Sequence, residues 1–236
     1  MTMPLIRTLP LLLALACSAA AWAGDDEAWW SYRDAYRTLV RFDKQGQPKH
    51  LIQQQLQVQP LIAGAPTEGL QLRLQGSHTD LELKLDAALQ TRVPLLKSAY
   101  DDNAALRLNR RAQAFGFKVR LSIVARADGV YPLGELRLAC EQVLNAQLRL
   151  DPQQPSGRRC VGVSLAFGRD ASPGVSWRQD GQSRGPIHNL TATPGPLYPG
   201  EAGREHQVVQ LRWDGQPDTA QLLTHSTPLV IAALIE

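Results

Sequence analysis

The chain has 236 residues, a formal net charge of +3, 20% charged and 6% aromatic residues. So mild a charge balance, with the arginines scattered rather than run together, predicts no polyanion-binding surface and sets nucleic acid aside as a partner. The low aromatic content argues against an outer-membrane barrel, which needs aromatic girdles flanking its apolar outer band.

Arg7 is the only charged residue before Asp25, and an apolar stretch from Leu9 to Ala16, broken only by Pro10, follows it. Small residues then lead into Ala21-Trp22-Ala23 and the acidic Gly24-Asp25-Asp26-Glu27. A basic start, a short apolar core and an A-x-A site predict a secretory signal peptide over residues 1–23, cut between Ala23 and Gly24, and a periplasmic address. The core is about half the roughly 20 residues a membrane span needs. Cys17, within Ala14-Leu15-Ala16-Cys17, partly matches a lipoprotein box. Lipidation there would make the protein a membrane-anchored lipoprotein instead, and is the only membrane contact expected.

Removing 23 residues from 236 leaves 213, and the net charge falls from +3 to +2 because only Arg7 departs. Residues 24–236 are expected to form a single β-rich domain. Two cysteines, Cys140 and Cys160, remain in an oxidising compartment. They show neither C-x-x-C redox spacing nor the further ligands of a zinc site, so a structural disulfide is expected. Closing a loop of about 20 residues is worth roughly 3 kcal/mol in the chain-entropy model.

The mature chain opens in a helical pattern: Trp29, Tyr32, Tyr36, Leu39 and Val40 share one face, and Gly46-Gln47-Pro48 ends it. The period then changes to two. Ile52, Leu56, Val58 and Ile62 oppose Gln53, Gln55, Gln57 and Gln59; Leu70, Leu72 and Leu74 oppose Gln71, Arg73 and Gln75; Leu81, Leu83 and Leu85 oppose Glu82, Lys84 and Asp86. Such alternation predicts antiparallel strands with one wet face. Thr91 to Leu96, carrying Pro94, reads as an edge strand or irregular extended piece. Ala104, Leu106 and Leu108 alternate again, as do Phe115, Phe117, Val119, Leu121 and Ile123 before a turn at Asp128-Gly129.

A second helix is expected from about Pro132, with Leu136, Cys140, Val143, Leu144 and Gln147 at 3.6 spacing. Cys160 opens a strand through Val161, Val163, Leu165 and Phe167, with a hairpin return through Val175 and Trp177. Residues 181–205 mix four prolines with five glycines and read as a loop or linker. A C-terminal hairpin is expected to run through Val209, Leu211 and Trp213, turn at Asp214-Gly215, and return through Ala220 and Leu222. Pro228 to Glu236 is a buried strand or a docked helix.

Catalytic signatures are weak. Gly162-Val163-Ser164-Leu165-Ala166 lacks one glycine of a nucleophile elbow, and Ser164 sits inside an alternating strand rather than at a strand-to-helix turn. His50, His78, His188, His206 and His225 form no H-x-x-x-H pattern, although His206 and His225 could share a metal across the last hairpin. Asp101-Asp102-Asn103 reads as a turn rather than a calcium loop. No residue is assigned a catalytic, cofactor-binding or metal-binding role, and no cofactor is expected.

Trp30-Ser31-Tyr32, Tyr36-Arg37, Val93-Pro94-Leu95 and the run Asp101 to Asn109 resemble an uncharacterised family of exported proteobacterial proteins carrying a domain of unknown function. The resemblance extends to about Leu150 and leaves out the tail from Pro155. It implies a periplasmic address and supplies no activity.

The expected fold is mainly β (α+β): about nine antiparallel strands in a sandwich or curved sheet, with two packed helices. The expected function is non-catalytic binding of an envelope protein or small ligand on a sheet face or edge, the alternative being a periplasmic hydrolase with a loop-built site. A pocket joining several of His188, His206, His225, Asp101 and Asp102 would favour the enzyme. Mass spectrometry of the mature N-terminus is expected to show Gly24 exposed; a diacylated Cys17 would mean a tethered protein.

Overall fold

The computed structural model describes residues 27–179, 186–201 and 205–236. The expected leader, its expected cut between Ala23 and Gly24, and Cys17 lie outside the described residues. The first half runs β1 (Glu27–Ser31), α1 (Tyr32–Asp43), β2 (Ile52–Pro60), β3 (Leu72–Gln75), β4 (Asp80–Leu83), β5 (Gln90–Thr91), α2 (Lys97–Asp101), β6 (Ala105–Arg111) and β7 (Phe115–Ile123). The second half runs β8 (Val130–Pro132), α3 (Leu133–Leu150), β9 (Cys160–Phe167), β10 (Val175–Arg178), β11 (Ile187–Leu190), β12 (Thr193–Gly195), β13 (His206–Arg212), β14 (Gln221–Thr224) and β15 (Val230–Ile235).

The protein is mainly β, as expected, with its strands in three antiparallel sheets. The orders are β1-β6-β3-β4, β11-β10-β14-β8 and a seven-stranded β12-β13-β9-β15-β7-β2-β5. A third, five-residue helix, α2, has no periodic signal in the sequence because one turn is too short to show one.

Alternation sets the register of the longest pairing. From Ile52 opposite Ile123 to Pro60 opposite Phe115, β2 and β7 match Leu56 with Val119 and Val58 with Phe117 on one face. Gln53, Gln55 and Gln57 meet Ser122, Arg120 and Lys118 on the other. A slip of one residue would invert both faces, so the pattern admits this register alone. The apolar face is covered twice. Helix α3 and the smaller sheet β11-β10-β14-β8 close a core around Ile123, Leu136, Val163, Leu165, Leu222 and Ile231. Helix α1 and the sheet β1-β6-β3-β4 close another around Tyr32, Leu56, Leu72, Leu106 and Phe115.

Strand β9 lies between β13 and β15 and is buried on both faces, which explains its unbroken apolar run. Ser164, 2% exposed, is an interior residue of that strand, opposite Gln210 and Ala232. Gly162 is required there: a Cβ at that position would lie 2.3 Å from the Leu211 carbonyl oxygen of β13. Pro228 to Glu236 resolves as the strand β15, pairing with β9 from Val230 opposite Ala166 and touching β7 at Ile231 opposite Ile123.

Several sequence expectations are corrected. Trp29 is not on the helix; it lies in β1 opposite Arg107 and is 60% exposed. Helix α1 starts at Tyr32, whose N–H goes to the Ala104 carbonyl and whose hydroxyl donates to Pro94 O at 2.6 Å and accepts from Leu96 N at 2.8 Å. Ile62 is exposed beyond the end of β2. Strand β10 does not return on β9 but pairs with β11 and β14. Region 181–205 is not merely a linker: it contains β11 and β12 and buries Leu197 and Tyr198.

The C-terminal hairpin does not exist either, since β13 and β14 belong to different sheets. The corner between them is held by α3. Its first N–H groups, at Leu133 and Gly134, donate to the carbonyls of Ala220 and Asp218, so the corner caps an otherwise orphaned helix start. Arg137 pairs with Asp218 and donates to Trp213 O and Gln216 O. These contacts span some 80 positions, and strand periodicity carries no trace of them.

Cys140, fully buried on α3, and Cys160, at the start of β9, are placed as a disulfide with Cα atoms 5.9 Å apart. The bridge staples α3 to the central sheet across a separation of 20 residues. Replacing both by alanine should lower the unfolding free energy by roughly 3 kcal/mol, read from urea titration; an unchanged midpoint would show the bridge to be thermodynamically idle.

Candidate functional site

The polar face of β2 and β7 carries glutamines opposite basic side chains, a composition that normally faces water. Here the tail of the chain crosses over it. Gln57 and Arg120 are only 8% and 7% exposed, and Leu197 and Tyr198 pack with Ala88, Ala166, Val208 and Val230 beside them. Small residues make this approach possible, since even at Gly195 an added Cβ would lie 3.2 Å from Val208.

A buried guanidinium needs its charge and its five donors answered. Arg120 Nε donates to Gln57 Oε1 at 2.6 Å, Nη1 to Glu201 Oε1 at 2.5 Å, and Nη2 to Glu201 Oε2, a two-pronged grip on one carboxylate. Lys118 Nζ donates to the same Glu201 Oε1 at 2.6 Å. The guanidinium carbon lies 4.4 Å from the centre of the Tyr198 ring, whose hydroxyl accepts from Gln90 Nε2 at 2.7 Å. Burial raises the Tyr198 phenol to about 12. Burial also pushes the Glu201 carboxyl upward, but Arg120 and Lys118 outweigh it and hold that carboxyl below its ordinary value.

Gln57, Arg120 and Glu201 of this cluster lie on one wall of a cleft of about 1020 Å³. The other walls come from residues 60–68 after β2, Ala87 to Leu89 before β5, Pro194 and Pro196 around β12, and Gln207 of β13. Both ends of the seven-stranded sheet therefore contribute to one concavity, which requires the sheet to be strongly curved. The 86–90 turn is tightly built: Asp86 Oδ1 accepts from the N–H groups of Ala88 and Gln90, and Leu89 takes φ 58°, a left-handed conformation rare for a leucine. A second, smaller cavity of about 170 Å³ lies at the start of α3, beside His50, Arg126, Tyr131 and Glu135.

The residues singled out for chemistry are dispersed. His206 lines the cleft. His188 stacks on Trp177 in the β10–β11 hairpin, with ring centres 4.5 Å apart. The His225 ring packs against Gly174, where a Cβ would come within 2.6 Å of Nδ1. Since β13 and β14 are not paired, the proposed His206–His225 metal hairpin is not formed. Asp101 pairs with Lys97. Asp102 closes the β3–β4 turn by accepting from His78 N at 2.8 Å, and this bond holds its carboxyl below the ordinary value. Asn103, at φ 53°, lies in the separate turn between α2 and β6. Neither of these two cavities joins these groups, and among the described residues no three His, Cys, Asp or Glu side chains gather as a metal site.

The sequence reading missed Arg120, Tyr198 and Glu201. An arginine at a polar position of an alternating strand looks like any solvated arginine, and nothing local shows that a segment some 80 residues later will cover it. Compared with protein-family models, with curated proteins and with solved structures, the chain shows no match.

Breaking the buried pair from the cation side is the costlier change. Arg120→Ala should destabilise by about 3 kcal/mol, because it strands a partly buried carboxylate and empties the space over Tyr198. Glu201 binds its proton less readily folded than unfolded, so its contribution is present above the ordinary glutamate range and lost as pH falls through the depressed folded value. The stability gap between wild type and Glu201→Gln should therefore be full at neutral pH and close on acidification; a gap independent of pH would remove the ion pair as its cause.

Proposed function

We propose that the mature chain is a periplasmic, non-catalytic binding module, and that the cleft between the two ends of the curved seven-stranded sheet receives its ligand. One observation carries this reading: of the groups singled out for chemistry, His206 lines the large concavity while His188, His225, Asp101 and Asp102 lie away from it. A hydrolase needs a nucleophile or activated water within reach of a base and an electrophilic stabiliser. In the cleft Arg120 and Glu201 instead pair with each other and with Lys118, and Glu68, Arg169, Glu205 and His206 share the remaining lining with proline, alanine, leucine and glutamine side chains. Apolar walls with a few fixed polar groups suit recognition, and the volume is at the upper end of the range for ligand sites.

The sheet edges suit strand addition less well than the cleft suits a ligand. Strand β12 carries Pro194, which cannot donate, and β5 is two residues long. The exported address rests on the leader-like pattern of residues 1–23 and the cysteine pair.

The reading is tested by blocking the cleft without touching the core. Ala63 is exposed on its wall, so Ala63→Trp should fill the cleft at unchanged melting temperature. Immobilised mature protein is expected to retain an envelope component that the Ala63→Trp protein does not. Retention of the same material by both proteins, or of nothing by either, rejects the cleft; turnover of an ester, amide or glycoside substrate that Ala63→Trp abolishes rejects the non-catalytic reading.

A further inference from the structure

We propose that the Arg120–Lys118 pair is a carboxylate receptor for the cleft's ligand, that Glu201 occupies it as an internal competitor, and that the ligand is an extended peptide presenting a free carboxylate. The inference rests on the reading of the cleft as a ligand site and names the chemistry of that site.

The receptor is held in place by groups other than the carboxylate it binds. Arg120 is fixed by the bond from Nε to Gln57 and by the Tyr198 ring, and Tyr198 is fixed in turn by Gln90. Two cations converge on a single carboxylate, and one of them, Lys118, is half exposed. A planar guanidinium offering two parallel N–H groups, backed by an ammonium, is the arrangement that recognises a carboxylate.

The occupant, by contrast, is lightly held. Between the buried Tyr198 and Glu201 lie only Pro199 and Gly200; Gly200 sits at φ 77° with nothing within 4 Å of where its Cβ would be. The backbone tie across this turn, Glu201 N to Tyr198 O, is 3.4 Å long. Glu201 can therefore swing out while Tyr198 stays packed. Both Arg120 and Glu201 line the cleft, so a carboxylate entering from it reaches the same two donors. The amides of Gln57, Gln59 and Gln207 and the proline and leucine walls match the alternating amide and apolar groups of a peptide.

An intramolecular carboxylate competes at high effective concentration, so it lowers the apparent affinity by the fraction of time it occupies the receptor. Removing its charge should raise affinity without adding a contact. The probes are four pools of dye-labelled hexapeptides: with a free or an amidated C-terminus, each with or without Asp and Glu, read by fluorescence anisotropy.

Glu201→Gln is expected to bind the free-acid pool at least tenfold more tightly than wild type and to ignore the amidated pool lacking Asp and Glu. If the receptor reads chain ends, the amidated acidic pool stays unbound; if it reads acidic side chains, that pool binds as well. In the Glu201→Gln background, Arg120→Lys should abolish the gain, and Lys118→Gln, on a half-exposed side chain, should reduce it several-fold. Equal binding of acids and amides, no gain in Glu201→Gln, or no binding by any protein overturns the proposal. Binding of amides that Ala63→Trp blocks would discard the receptor and keep the cleft; binding that Ala63→Trp leaves intact would discard both.

Discussion

A guanidinium buried on the polar face of a sheet must be given an anion, and Arg120 obtains one from Glu201. Much of the architecture around the cleft follows from that need. Residues 193–201 have to cross the sheet rather than hang from it, which places β12 at one end of the seven strands and Leu197 and Tyr198 over its second face. Tyr198 supplies the aromatic surface that replaces water over the cation, and Gln90 satisfies its hydroxyl. Two turns far apart in sequence, at 86–90 and 198–201, are thereby brought to one cleft. An apolar residue at position 120 would bury without such help, so the charge costs stability that a packed hydrophobic side chain would not.

The opposite face obeys simpler rules. It is apolar, covered by α3 and by the two smaller sheets, and closed by the Cys140–Cys160 bridge. Gly162 on β9 lets β13 approach closely. The apolar half is thus held by packing and a covalent bridge, while in the polar half Glu201 reaches Arg120 from just past a glycine turn.

This division explains what could be read in advance. Alternation in β2, β3 and β7 is local and came through directly, as did the helix around Leu136, Cys140 and Val143, and the pairing of the two cysteines. Partnership between strands is not local. Trp213 and Leu222 alternate like the arms of a hairpin, but Arg137 and the start of α3 bind the corner between them and send the arms to separate sheets. Trp29 fell on the helical stripe by spacing alone, while its neighbour Ser31 had already ended a strand. The site was illegible for the same reason. Gln57 and Arg120 occupy positions that read as wet, and only the crossing of a distant Pro- and Gly-rich segment makes them buried.

That segment also shows why a loop-like composition need not mean an idle loop. Prolines at 194, 196 and 199 stiffen it, so crossing the sheet costs less chain entropy than it would for a flexible strand. Glycines at 195 and 200 supply the two conformations that prolines cannot: close approach to Val208, and a left-handed turn before Glu201. Stiff where it must cover and free where it must let go, the segment can hold Tyr198 over Arg120 permanently while leaving the carboxylate replaceable. A purely structural ion pair has no use for that difference, because it gains most when anion and aromatic are immobilised together. The separation of anchor from carboxylate by a glycine is what the arrangement should look like if the anion is meant to be exchanged.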